Sequence, residues 1–566
     1  MYKPKEMKAK LYIGAVLLVM TSVGCKKDFF NRPPENASTV GTYYQTVDQV
    51  QSSTNILYAA PWFGFNGKAF LAIGELQSGN AICWSGTDGS FDAFGAFAAG
   101  DATQAVQSAW NSLYTVVAQS NALINNLPNA SSAVPADVVN NALGEAHLMR
   151  GAAYFYLVRL FGNVPIITDP VPFVNSFNNV NTNPVADVYK FIENDLKFAE
   201  ANCKPGTAST GHVSSASASG LLAKVYLYEQ KYDDAKTEAE KAINSGEFSL
   251  MPGSNYAQMF ELAGKNCSES MIALQWTSNG GYGFGNQHQS VICPNTDITG
   301  TGDGWGELGP SLDLQNAFAN TGDVIRRHGA IMTAGDFYPE IHKKDGGYYI
   351  CRIDTSYNGK SYKAVNAQGT GAGMKKYVAG TPDDNSGLSA FQATSLNTYL
   401  LRFADVYLIA AEAILGKSAG VQPGTGIDTN AVCTDATALM YINKIRQRAG
   451  LPVFTTSFTY KQLLNERRLE FAIEGDYWYD LQRIDGYQPD VNTGNNKKDG
   501  HHPVAIKIIN GQDRRTVNIN GANGQITGYS AGRSFTINDS KFLLPYPSTE
   551  TTADPALLQD PVPYHF

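Results

Sequence analysis

Three segments that read as loops combine a flat aromatic side chain with amides and carboxylates. Trp84 lies in NAICWSGTDGSFD beside Asn80, Asp88 and Asp92. Tyr282 and Phe284 lie in GGYGFGNQH beside Asn286, Gln287 and His288. Trp305 lies in GTGDGWGELGP beside Asp303. A pyranose presents a face of C–H groups and a rim of hydroxyls. Holding one takes an aromatic platform for the face and Asn, Asp, Gln or Arg for the rim. Trp84, Asp88, Tyr282, Trp305, Asn80 and Asn286 therefore form the candidate ligand-binding group. The competing reading for each aromatic is a cap over the core of its own loop. Trp62 is a further candidate, whereas Trp110, Trp276 and Trp478 fall on expected helices or strands and belong to the core.

Catalytic and metal chemistry find weaker footing. Glu466, Glu470 and Glu474 follow one another at i, i+4 and i+8, which stacks like charges on one helix face. Two of them as acid and base would suit glycoside hydrolysis. Arg467 and Arg468 are interleaved in the same helix and Arg483 follows, so the expectation is a structural ion-pair network compensated by these arginines. Arg402, Asp405 and Glu412, on an expected helix over 398–415, receive the same reading. The eight histidines include no HExxH, and the His501-His502 pair sits in a Lys/Asp/Gly turn where solvation is expected. Glycines alternate with aromatics at 281–285, but no strand–helix unit surrounds them, so no phosphate cradle is expected. Asp297 and Asp303 fit no standard calcium loop. No catalytic residue, metal or cofactor is assigned.

Composition narrows the partners. The net charge is −8 and no basic stripe is present, which argues against nucleic acid. Six cysteines besides Cys25 (Cys83, Cys203, Cys267, Cys293, Cys351 and Cys433) are scattered without metal-ligand spacing. They leave room for one or two disulfides outside the cytoplasm.

The elements that must position the candidate residues are mostly helical. Apolar residues recur at helical spacing over 103–127 and 136–161, and further helices are expected at 186–202, 398–415, 434–449 and 459–483. At 216–246, Leu222, Ala223, Tyr226, Tyr232, Ala235 and Ala242 stand at tetratricopeptide spacings, where small residues mark the crossing of two antiparallel helices. One such pair cannot bury its own face, so the neighbouring helices must stack on it. From about 250 to 395 Gly, Asn, Asp, Thr and aromatics take over, with a strand-like run at Met271–Trp276. A second irregular stretch, 486–540, has strand-like pieces at 504–509 and 515–519. Long irregular segments inside a helical protein are more often functional than idle.

The N-terminus carries Lys3, Lys5, Lys8 and Lys10, an apolar run from Leu11 to Met20, and small or β-branched residues up to Gly24 before Cys25. That is the plan of a secretory signal, and the run is too short to span a bilayer, which takes about 20 residues. Cys25 after a glycine resembles a bacterial lipobox, with Ser22 where Leu, Val or Ile is usual. A lipidated Cys25 tethers the body to a membrane through Lys26–Pro34.

Seven segments in order resemble the SusD/RagB family of outer-membrane nutrient-uptake lipoproteins. They are CKKDFF from Cys25 with Pro33-Pro34 soon after, AHLMRGAAYFYLVRLFGNVP (146–165) and LLAKVYLYEQKYDDAKTEAEKAINSGEFSL (221–250). LRFADVYLIAAEA (401–413), INKIRQRAGLP (442–452), ERRLEFAIEGDYWYDLQR (466–483) and FLLPYPSTETTADPALLQDP (542–561) follow. Asp554 and Asp560 depart from the family's tendency to asparagine. The resemblance implies a mainly α fold of tetratricopeptide-like helix pairs with a large loop-rich, partly β insertion. It divides the chain into a signal peptide (1–24), a lipidated tether (25–40) and one SusD-like domain (41–566). The helical scaffold would cover about 41–250 and 396–485, the ligand-binding part about 60–100 and 251–395, and a C-terminal segment 486–566. It further implies non-catalytic binding of an oligo- or polysaccharide at the outer membrane, facing the cell surface, and delivery to a SusC-like TonB-dependent transporter. The rival readings are a lipoprotein glycoside hydrolase and an assembly scaffold that binds only protein.

Overall fold

The computed structural model describes residues 43–83, 89–169, 179–206, 208–422, 424–487 and 502–566. Cys25 with its signal and tether, and Trp84 and Asp88 among the candidate ligand residues, lie outside the described residues.

Helices Gln104–Asn126, Ala136–Phe161, Val185–Asn202, Ser215–Tyr228 and Tyr232–Asn244 each pack on the next. Phe403–Ser418 continues the stack against Tyr232–Asn244, and Ala436–Arg448 packs on it in turn. The Ser215–Tyr228 helix starts at a capping box in which Ser214 and Ser217 satisfy each other's backbone N–H groups. Its pair with Tyr232–Asn244 buries Ala223, Ala235, Ala239 and Ala242 completely. Small side chains at those crossings let the helix axes approach, as the repeat spacing predicts.

Several expected elements take a different form. The 398–415 segment is a strand, Thr398–Arg402, running directly into the Phe403–Ser418 helix. The strand pairs antiparallel with Ser270–Leu274, so Leu274 faces Thr398 and Ser270 faces Arg402. This two-stranded ribbon joins the two ends of the loop-rich insertion at a neck. The 459–483 segment divides into Tyr460–Glu470 and Tyr477–Arg483, because Ile473 and Gly475 take left-handed backbone conformations. Residues 504–509 belong to a helix, Pro503–Asn510, opened by a proline at its first position, whereas Thr516–Ile519 is the expected strand. Residues 60–77, at the start of the 60–100 stretch expected to be loop-rich, wind from a 3₁₀ turn into two π-helical turns, Phe65–Ala69 and Ala72–Gln77. Trp62 is enclosed there and donates its indole N–H to the Leu57 carbonyl at 2.8 Å, which withdraws it from the candidate ligand residues. Trp110, Trp276 and Trp478 are core, as expected.

The three glutamates do form a buried ion network, but their partners are not the neighbouring arginines. With the helix ending at Glu470, Glu474 leaves the shared face. Glu466 pairs with Arg326 and Arg446, both at 2.7 Å. Glu470 pairs with Arg402 at 2.9 Å and Arg448 at 2.5 Å, and Glu474 with Arg402 and Lys376, both at 2.7 Å. Burial alone would raise the Glu470 carboxyl; Arg448, Arg402 and Arg326 outweigh it and hold the group well below the usual carboxylate range. Arg467 instead serves Asp405, Asp476 and Asp480, Arg468 serves Asp313, and Arg483 serves Glu412 and Asp480. Of the expected histidine pair, His501 lies outside the described residues. His502, expected to be solvated, stacks on Phe542 with centroids 3.9 Å apart and bonds Asp539 at 3.2 Å. Cys203, Cys267, Cys293, Cys351 and Cys433 form no disulfide with one another, so the room the sequence left for one or two is not used among them. Among the described residues no helix is long and apolar enough to cross a membrane.

Candidate functional site

The loop-rich part has few long hydrogen-bond ladders, so buried side chains satisfy its backbone. Gln289 is an example. Its Oε1 accepts from the N–H groups of Ala379 and Gly380, and its Nε2 donates to the Gly380 carbonyl and to Ser389 Oγ. Asn286 does the same at a crossing of three segments. It exchanges backbone hydrogen bonds with Thr394, donates its amide to the Leu396 carbonyl at 3.0 Å and Thr398 Oγ1 at 3.1 Å, and accepts from His288 N–H at 2.9 Å. With no exposed surface, Asn286 has no hydroxyl of a ligand within reach, and its expected place in the site is corrected to a brace beneath it. Asn80 is equally enclosed and accepts from Arg468 Nε at 2.8 Å, so it too is scaffold.

Tyr282 and Trp305, unlike Asn80 and Asn286, are exposed. They line the same cleft of about 250 Å³, together with Phe63, Lys68, Gln104, Gln287 and Gln392. Tyr282 is 68% exposed and Trp305 40%. Phe63 stands edge-on to Tyr282, with ring centroids 4.9 Å apart. Phe284, half exposed, follows on the same loop. Trp305 is held from its backbone: its N–H donates to the Ser290 carbonyl, and the next two N–H groups donate to Cys293 and Val291. A rigid loop that leaves a large ring in solvent is pre-organised to bind, since little freedom is lost when a ligand stacks on it.

The cleft floor comes from the Phe65–Ala69 turn. Gly67 has ψ −106, outside the helical range, and a Cβ there would lie 2.9 Å from Gln287 Oε1, so glycine is what lets the Gln287 amide approach the turn. π-helical turns of this kind recur at functional sites. Beneath them His288 is wholly buried, and burial pushes its imidazole down to about 4. The neutral ring donates Nε2–H to the Asn66 carbonyl at 2.6 Å and packs flat on Phe70. His288 therefore supports the loop and does not titrate near neutral pH. Asp303 is likewise internal, accepting from Ser290 Oγ at 2.6 Å and Gln392 N–H at 2.7 Å, and Asp297 accepts from the Tyr348 hydroxyl. No group of three His, Cys, Asp or Glu side chains among the described residues is placed to hold a metal ion.

The described residues lining the cleft supply aromatics, amides, hydroxyls and one ammonium group, with no carboxylate. Such a surface can stack on and hydrogen-bond a polyhydroxylated ring. Sequence reasoning missed Phe63, Lys68, Gln104 and Gln392. Each sits in a segment with no motif of its own, and only the fold brings them beside Tyr282.

Residues 268–564 match the SusD family, and residues 95–227 match a family described as starch-binding, associating with the outer membrane. A SusD-like protein of Bacteroides ovatus is 31% identical over 590 aligned residues, covering 99% of each chain. The starch-binding protein SusD of Bacteroides thetaiotaomicron is 28% identical over 378 residues, covering 60% of this chain and 63% of its own. A crystal structure obtained with a xylogluco-oligosaccharide matches the fold with a TM-score of 0.74 at 29% identity, covering 91% of this chain and 99% of that one.

Proposed function

The chain belongs to the SusD family, and from that premise we propose that it is a surface glycan-binding lipoprotein, anchored through Cys25, that captures an oligo- or polysaccharide and delivers it to a SusC-like TonB-dependent transporter. Binding is by stacking and hydrogen bonding, with no bond broken. The observation that carries the reading is the convergence of Tyr282 and Trp305, from loops 23 residues apart in sequence, on one cleft edged by Gln287 and Gln392.

The relatives' names suggest the first probes: starch, xyloglucan and laminarin. Replacing both platforms, Tyr282→Ala with Trp305→Ala, removes two stacking contacts worth about 1 kcal/mol each. Retardation in glycan-containing native gels should then fall by at least about tenfold in affinity, with the circular dichroism spectrum unchanged. A folded double variant that retains full affinity, or reducing-sugar release by the purified protein, would overturn the reading. Cys25→Ser should move the protein from the outer-membrane fraction to the soluble one, and loss of co-purification with a barrel transporter would test the delivery step.

A further inference from the structure

The two-stranded hairpin Ser389–Ala390 and Ala393–Thr394 carries Phe391 and Gln392 at its tip. Phe391 is 53% exposed, unusual for so large an apolar side chain on a turn tied down this firmly. Its ring stands nearly perpendicular to Trp305, with centroids 6.4 Å apart and planes at 79°. Gln392 holds a left-handed backbone (φ 53), a conformation that costs energy for a residue other than glycine and is retained most often at binding sites. Three hydrogen bonds fix the tip. Gln392 N–H donates to Asp303 Oδ2 at 2.7 Å, Asp303 accepts in turn from Ser290 Oγ at 2.6 Å, and Gln287 Nε2 donates to Gln392 Oε1 at 3.3 Å. Ser290 is also the residue whose carbonyl holds the Trp305 N–H. Asp303 and Ser290 thus lock the hairpin tip and the Trp305 loop to each other.

From this arrangement we infer that Phe391 and Gln392 form a second sugar subsite beside Trp305, which makes the hairpin tip a determinant of ligand length. Two exposed rings at a right angle make a corner. One ring carries the C–H face of a pyranose, and the other bears against the adjoining unit of the same chain, with the Gln392 amide available to its hydroxyls. A ligand long enough to reach both rings gains contacts that a short one lacks. Asp303 touches no ligand and acts as a positioning residue.

The inference rests on glycan binding in the Tyr282–Trp305 cleft, and the test separates the two. Affinities for short (two- and three-unit) and long (six-unit or larger) oligosaccharides derived from starch, xyloglucan and laminarin would be measured by titration calorimetry with the full soluble chain. The series bound most tightly by the unsubstituted protein is then taken forward. Phe391→Ala should weaken the long oligosaccharide about tenfold and leave the short one within about twofold. Phe391→Tyr, which keeps the ring, should restore the long-chain affinity, and Trp305→Ala should weaken both lengths. Equal loss for both lengths would mean that Phe391 only supports Trp305, and no loss would mean that it contacts nothing; either result overturns the subsite. If the unsubstituted protein binds none of the three series at any length, the cleft reading itself fails.

Discussion

The helical stack and the loop-rich insertion bury their small groups for opposite reasons. In the stack the enclosed small residues are alanines such as Ala223, Ala235, Ala239 and Ala242, placed where helix axes approach. The helices satisfy their own backbones, so apolar contact can do the rest. In the insertion the enclosed groups are amides and carboxylates: Asn286, Gln289, Asp303 and Asp384. Asp384 alone accepts from the backbone N–H groups of His342, Lys343 and Thr381. Irregular backbone carries unpaired donors and acceptors, and a side chain must meet each one that is taken out of water. Polar side chains that look available for a ligand in the sequence are therefore often the ones the loop consumes. Between the regions lies the neck, where Arg402 on its strand meets Glu269 at 2.6 Å as well as Glu470 and Glu474.

The contrast can be broken most strongly at the neck. Glu470→Ala removes the carboxylate shared by Arg326, Arg402 and Arg448 and leaves buried charge uncompensated. The loss of stability should be about 3–5 kcal/mol by denaturant unfolding. Next comes the insertion's own brace. Asn286→Ala strands the Leu396 carbonyl and the His288 N–H, while Thr398 Oγ1 keeps the Trp276 indole N–H, at a cost of about 3 kcal/mol. Because the same loop carries Tyr282, the variant should also lose glycan affinity at temperatures where it remains folded.

A third variant sharpens the comparison through pH. Glu75, enclosed in the Ala72–Gln77 turn and accepting from Gly475 N–H at 2.6 Å, is pushed by burial from its ordinary 4.5 up to about 7. The folded state then keeps a proton that the unfolded chain releases above about 4.5. Stability from this group is full at low pH and declines as pH rises from about 4.5 through about 7. Glu75→Gln should remove that decline and gain about 2–3 kcal/mol relative to the parent at pH 8 but almost nothing at pH 4, measured by urea unfolding at both. The smallest effect is expected on the outer face of the stack. Lys236 pairs with Glu240 at 2.7 Å one turn away and is 39% exposed, so Lys236→Ala should change stability by no more than about 0.5 kcal/mol.

Much of the helical part was legible in sequence. Ala136–Phe161 falls on the expected 136–161, and the 215–244 pair follows the repeat spacing, because a helix writes its buried face at every third and fourth residue. The strand over Thr398–Arg402 reads as helix in sequence because its apolar run continues unbroken into the next helix, and periodicity cannot divide so short a segment. In the candidate site, exposure of Tyr282 and Trp305 was legible from large rings set among glycines and polar residues. The burial of Asn80 and Asn286 was not, since an asparagine that braces a loop has the same sequence neighbours as one that meets a ligand.

By itself the sequence determined the helix pairs, the structural rather than catalytic character of the Glu466–Glu474 cluster, and a short roster of loop aromatics. Those properties depend on residue type and on neighbours within a turn or two. Only the tertiary structure decided that Tyr282 and Trp305 share a cleft with Phe63, Lys68 and Gln392. It also decided that Arg326, Arg402 and Arg448, not the adjacent arginines, neutralise Glu470. Such partners stand from about twenty to about two hundred and forty residues apart. Their meeting depends on where the neck ribbon and the helix stack return the chain, and no local period encodes that.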